Sequence, residues 1–249
     1  MENSKVIKFL KELNLSIFKE NELVDKDIII LFPGKFQPMG QHQRQEYFRL
    51  CREFGKDNVY LVTDDMVDIH KAPLSFDEKI KIMKRHGVMN VEKALNPFMP
   101  TELFNDLDEK NTVVIFAVSK NNLKKLNGFK RLTKYNKSSH LPIKDIQNPY
   151  VYYILTNNVK YDIPSFGEMN SKSIFKALSD REAKLSELKS RFISIFGWFD
   201  ANIFNTIMKK FNTDRGDLKD GKEELKSLQM VTRTFWNKVY NEVVKDNKK

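Results

Sequence analysis

The chain has 249 residues, 41% hydrophobic and 31% charged, which supports a sizeable core and argues against wholesale disorder. No stretch approaches the roughly 20 apolar residues that span a bilayer, the run MENSKVIKFLKELN lacks a secretory apolar region, and the single Cys51 excludes an internal disulfide. These features predict a protein of a reducing compartment with no membrane partner, and the net charge of +10 favours polyanionic partners.

In chain order, Val6, Phe9, Leu10 and Leu13 fall at helical spacing, which predicts a short N-terminal helical extension over residues 1–25. Asp27 to Phe32 is a continuous apolar run closed by Pro33-Gly34 and reads as a buried parallel strand. Gln41 to Glu53 reads as a helix, with Tyr47, Leu50, Cys51 and Phe54 on one side. Asn58 to Thr63 is a second strand. Ser75 with Glu78 three residues later forms a capping box that opens a helix to His86. Thr112 to Val118 and Tyr150 to Leu155 supply two further strands. Alternating strands and helices predict an α/β Rossmann-like domain over 26–180, a parallel sheet with helices on both faces. Beyond Asp180, SELKSRFISIFGWFDANIFNTIMKKF and ELKSLQMVTRTFWNKVYNEVV repeat apolar residues at intervals of three and four. They predict an all-helical C-terminal region over 181–249. Its Phe192, Ile195, Phe196, Phe199 and Phe204 exceed the needs of a small appendage, so it is expected to pack on the main domain or to bind a partner or a second copy. Trp198 and Trp236 read as helical core or partner surface.

Four segments carry more specific information. The strand ending at Phe32 runs into Gly34-Lys35-Phe36-Gln37-Pro38. Ala72 to Met83 is followed by Asn96-Pro97-Phe98, Phe116 to Asn122 closes the third strand, and Met169-Asn170-Ser171-Lys172-Ser173-Ile174-Phe175-Lys176-Ala177-Leu178 opens a helix. In this order they resemble the nucleotidylyltransferase superfamily, including its phage-encoded members. Its first motif reads Gly-x-Phe-x-Pro-x-His-x-Gly-His and its last Met-Ser-Gly-Thr-x-Ile-Arg-x-Ala-Leu. The resemblance implies in-line nucleotidyl transfer with release of pyrophosphate, with magnesium and ATP or CTP if the protein is active. It places nucleotide-binding positions at Gly34, Lys35, Phe36, Gln37, Pro38, Gly40, His42, Gln43, Asn122, Lys172 and Ser173.

The departures fall on the family's chemical residues. Gly40 and Gln43 stand at the two histidines, and His42 takes the motif glycine. Lys172 replaces threonine, Phe175 replaces arginine, and Ser119 and Asn122 stand where Gly and Asp are usual. Such a reaction runs on positioning and electrostatic stabilisation, where one missing donor costs about 10²- to 10³-fold in rate. A kept scaffold with lost chemistry predicts a catalytically degenerate protein used for binding or assembly, in a phage particle or the cytoplasm of the infected cell. The alternative is an active adenylyl- or cytidylyltransferase in which Lys35, His42, Gln43 and Lys172 serve as the catalytic set. A nucleic-acid-binding module is a third reading. It rests on Lys120, Lys124, Lys125, Lys130, Arg131, Lys134 and Lys137, a run from Ser119 to His140 without one acid. His70, His86 and His140 lack metal-ligand spacing. Asp64, Asp65 and Asp68 read as a solvated acidic loop more readily than as a magnesium site.

Overall fold

The computed structural model describes residues 27–68, 71–136, 141–157 and 159–211. The expected N-terminal helix, the second C-terminal helical run, Lys137, His70, His140 and Trp236 lie outside the described residues. Six strands form one parallel sheet: β1 (Asp27–Pro33), β2 (Val59–Thr63), β3 (Asn90–Lys93), β4 (Thr112–Val118), β5 (Arg131–Lys134) and β6 (Tyr150–Leu155). Their order is β3-β2-β1-β4-β6-β5. The four expected strands are present. β3 and β5 are additional, and their sequences, NVEK and RLTK, carry no apolar run that would announce them.

The central strands are buried on both faces because their residues alternate between two cores. Ile30, Phe32, Val113, Ile115 and Ala117 pack on one side under helix α1 (Gln41–Phe54), with Tyr47, Leu50 and Met83, the last from helix α2 (Phe76–Arg85). Leu31, Val114, Phe116 and Val118 pack on the other, under the short helix α3 (Thr101–Phe104), a 3-10 turn at Leu123–Leu126 and the side chains of Phe98 and Phe129. Helix α2 starts as its sequence dictates: the Glu78 carboxylate accepts from the Ser75 N–H at 2.9 Å, and the Ser75 hydroxyl accepts from the Glu78 N–H.

A small antiparallel hairpin, β7 (Asp162–Ile163) and β8 (Gly167–Glu168), leads into helices α4 (Ser171–Leu178), α5 (Leu185–Phe196) and α6 (Ala201–Phe211). Gly197 ends α5 in the left-handed region at φ 75°, a turn that costs little for a residue without Cβ. These helices share a third core with the main domain, in which Phe192, Ile195, Phe196 and Phe204 join Leu74 and Ile82. Phe199 is half-buried against the same cluster. The surplus of aromatic residues is thus absorbed by packing on the main domain. No helix among the described residues is long and apolar enough to cross a membrane.

Candidate functional site

The sheet reverses its build direction between β1 and β4, and the cleft beyond the carboxyl ends of those strands is where open α/β sheets place ligands. At the end of β1, the Gly34 N–H still bonds the Val62 carbonyl at 3.0 Å. The Phe36 ring folds back over Gly34, where an added Cβ would stand 2.9 Å from Cζ. Phe36 itself is held at φ 45°, in a region unfavourable to a bulky side chain. The ring is buried edge-on against Phe32 at 5.6 Å. The Gln37 amide then ties the loop to the segment before α2, donating to the Leu74 carbonyl at 2.8 Å and accepting from its N–H at 2.9 Å. The Gln37–Pro38 peptide is cis.

Beyond Pro38 the loop is clamped from behind. His86 is buried, with Nε2 donating to the Met39 carbonyl at 2.9 Å and Nδ1 accepting from Trp198 Nε1 at 3.1 Å. Burial pushes its pKa down to about 4, so the ring is neutral. Gly40 is the N-cap of α1, and its N–H donates to the Gln43 Oε1 at 3.1 Å. An added Cβ at Gly40 would come within 3.1–3.2 Å of His42 Nδ1, Met169 Sδ and Ile174 Cδ1. The first motif position of the histidine pair is therefore a packing point between the starts of α1 and α4.

The cleft has a volume of about 460 Å³ and is lined by Gly34, Lys35, Phe36, His42, Gln43, Asn122, Lys125, Asn157 and Glu168 to Ser171, among others. Of the residues expected at the site, Gly34, Lys35, Phe36, His42, Gln43 and Asn122 meet there. Gln37, Pro38, Gly40, Lys172 and Ser173 do not line it. The Gln37 side chain is taken up by Leu74, and Lys172 is exposed one residue beyond the lining Ser171. The Ser173 hydroxyl is buried, accepting from the Asn170 N–H at 2.9 Å and donating to the Glu168 carbonyl at 2.7 Å. Phe175, at the position of the family's arginine, turns into the third core, 5.0 Å from the Phe211 ring. Lys125 comes from the basic run, with its Nζ 4.4 Å from the Phe98 ring centre. The resemblance did not single it out, although the unbroken run of bases around it was a usable signal.

Two features set the chemistry. First, helix N-termini favour phosphate because their N–H groups are unsatisfied, and here side chains take up one such group at the start of α1 and two at the start of α4. Gln43 takes the Gly40 N–H, and the Asn170 side chain takes those of Lys172 and Ser173 at 3.0 and 3.1 Å. Second, burial pushes His42 down to about 4, and its Nδ1 has no hydrogen-bond partner among the described residues. A neutral ring offers no charge to a phosphate. Among the described residues that line the cleft, the cations are Lys35 and Lys125. The Lys125 ammonium is held below the usual lysine range, first by desolvation and then by Lys35 and Lys124.

A magnesium ion would find little here. Glu46, which lines the cleft, is gripped by Arg49 through Nη2 at 2.6 Å and Nε at 3.1 Å. No group of three His, Cys, Asp or Glu side chains among the described residues could hold a metal. The three aspartates after β2 are separately engaged: Asp64 with Lys79, Asp65 with the Phe76 N–H and Lys93, and Asp68 in a backbone bridge to Ala72.

No protein-family model matches the chain, and no curated protein matches it. Among solved structures it is similar to a bifunctional NMN adenylyltransferase/ADP ribose pyrophosphatase from Francisella tularensis complexed with AMP and a manganese ion. The TM-score is 0.46 and the identity 13%, over 85% of this chain and 56% of that one. It is similar also to the Plasmodium falciparum nicotinic acid mononucleotide adenylyltransferase complexed with APC, with a TM-score of 0.44 and 12% identity, over 76% of this chain and 100% of that one. The chain thus spans little more than half of the Francisella protein.

Proposed function

We propose that the protein is a catalytically degenerate member of the nucleotidylyltransferase superfamily that uses its cleft to bind a nucleotide or another phosphorylated ligand without transferring it. Its role is one of binding or assembly, in the cytoplasm of a phage-infected cell or in the particle built there. The observation that carries this reading is the shortage of free donors and charge beside the cleft: Gln43 takes the Gly40 N–H, and Asn170 takes those of Lys172 and Ser173. Around them, His42 is neutral and Phe175 faces away from the cleft. Transition-state stabilisation needs donors preorganised toward the developing charge, and losing each costs about 10²- to 10³-fold. Ground-state attraction needs less. Lys35 and Lys125 supply two point charges, without the bidentate fork of arginine. A magnesium ion would enter on the phosphate oxygens of ATP or CTP, since the chain has no ligand set of its own among the described residues.

Thermal shift with magnesium and ATP or CTP, read beside pyrophosphate release, tests both halves. The expected result is a rise in melting temperature that Lys35→Ala and Lys125→Ala each reduce, with pyrophosphate at the background rate. Pyrophosphate release that disappears in Lys35→Ala would establish an active nucleotidyltransferase instead. No shift with either nucleotide would remove nucleotide binding and leave assembly alone.

A further inference from the structure

The bases of the acid-free run do not disperse over the fold. Lys120, Lys124 and Lys125 sit on the segment that closes β4, whose Ser119, Asn121 and Asn122 line the cleft. Lys130, Arg131 and Lys134 begin and form β5, the last strand of the sheet. All six are exposed. Elsewhere the fold pairs many of its bases, as at Arg49, Lys79, Arg85, Lys93, Arg191 and Lys210. Among the described residues none of these six makes an ion pair, and no acid lies between Ser119 and Asn136 to supply one. The charge of this stretch is therefore not offset by ion pairs among the described residues.

We infer that this face, from the rim of the cleft to β5, the last strand of the sheet among the described residues, binds the phosphate backbone of a nucleic-acid strand. Two observations favour nucleic acid over an acidic protein. Protein interfaces are organised around apolar or aromatic anchors; the stretch 119–136 exposes no large hydrophobic residue, and the exposed Leu155 and Val159 stand only at its cleft end. A phosphate backbone, by contrast, is held by lysine and arginine and needs no anchor. The inference does not depend on nucleotide binding in the cleft, since Lys35 is not part of it and Lys125 only borders it.

The test uses the full chain and fluorescein-labelled 20-mer oligo(dT) and oligo(U), titrated by fluorescence anisotropy at several salt concentrations. Five single-strand phosphate contacts give a slope of log K against log salt near −3.5, or about a 100-fold weakening from 50 to 200 mM salt. Replacing Lys120, Lys124, Lys130, Arg131 and Lys134 by Gln should abolish most of that slope. Replacing five other exposed lysines, Lys81, Lys84, Lys176, Lys184 and Lys209, by Gln changes net charge equally and should leave most of it. The nucleotide-induced melting shift should persist in the first variant, because Lys35 and Lys125 remain, so failure of one reading is distinguishable from failure of the other. Equal losses in the two variants would mean that net charge alone attracts the strand. Polyglutamate bound as tightly as the oligonucleotides would mean a nonspecific anion surface. Absence of binding, or unchanged binding with new self-association in the first variant, would mean that the bases only guard an exposed strand edge. Each of these outcomes overturns the inference.

Discussion

Asn170 shows how one side chain can set what a site is able to do. Its Oδ1 accepts from the N–H groups of Lys172 and Ser173, which stabilises α4 and takes up two donors next to a cleft that Asn170 itself lines. Glycine at an N-cap costs only a few tenths of a kcal/mol relative to asparagine. Asn170→Gly is therefore expected to unfold at nearly the wild-type urea concentration while binding a triphosphate about fivefold more tightly, the scale of 1 kcal/mol for a regained hydrogen bond. Isothermal titration with ATP or CTP would show it; unchanged affinity would mean that the cap does not compete with phosphate. Rebuilding the family's histidine at position 40 is a poorer route, because its Cβ would press on Met169 and Ile174. Lys79 works at the opposite edge of the same loop. Fully buried, it donates to the Asp64 carbonyl at 2.6 Å, to Asp64 Oδ1 at 3.0 Å and to Thr63 Oγ1 at 3.2 Å, and Thr63 in turn donates to the Lys35 carbonyl at 3.3 Å. Lys79→Met should cost about 3–5 kcal/mol by chemical denaturation, because it leaves the Asp64 carboxylate buried and unpaired. Adding Asp64→Leu should recover much of that loss.

The elements around His86 behave as a joint. The residue caps the end of α2, bonds the loop before α1 and receives the Trp198 N–H from the turn between α5 and α6. In the unfolded chain its imidazole titrates near 6.5 and in the fold at about 4, and His42 does the same. Between those values the unfolded chain binds more protons. Stability is thus full above about pH 6.5 and falls as pH drops toward 4, by on the order of 3 kcal/mol for each buried ring. Urea midpoints at pH 7 and pH 4.5 should differ accordingly, and His86→Gln should reduce the difference by about half. A flat profile between these values would mean that neither ring stays neutral in the fold.

Across the whole molecule, the sequence announced what repeats and concealed what depends on distant neighbours. β1, β2, β4 and β6 were legible because their residues face a core on each side of the sheet, leaving continuous apolar runs. β3 and β5 were not, since each lies at an edge with a four-residue polar sequence that owes its conformation to β2 or β6. At the site, the motif order placed Gly34, Lys35, Phe36, His42 and Gln43 on one cleft. It could not reveal that Gln43 takes the Gly40 N–H, that Phe175 faces Phe211, or that Lys125 reaches the cleft from the turn after β4. Each depends on a side-chain direction rather than on a residue type.

The joint at His86 also bears on how the molecule opens. The Gln41 amide donates to the Ser194 carbonyl at 2.9 Å, and Arg44 Nε donates to the His86 carbonyl at 3.2 Å. The start of α1 is thereby fastened both to α2 and to α5, and the cleft has no hinge of its own there. Amide hydrogen exchange should report a single cooperative unit, with the protected amides of α1 and α5 exchanging at a common free energy of opening. In Trp198→Phe, which breaks the link at His86 Nδ1, the two sets should separate, α5 exchanging ahead of α1. A nucleotide entering the cleft would then be felt as slower exchange in helices it never touches.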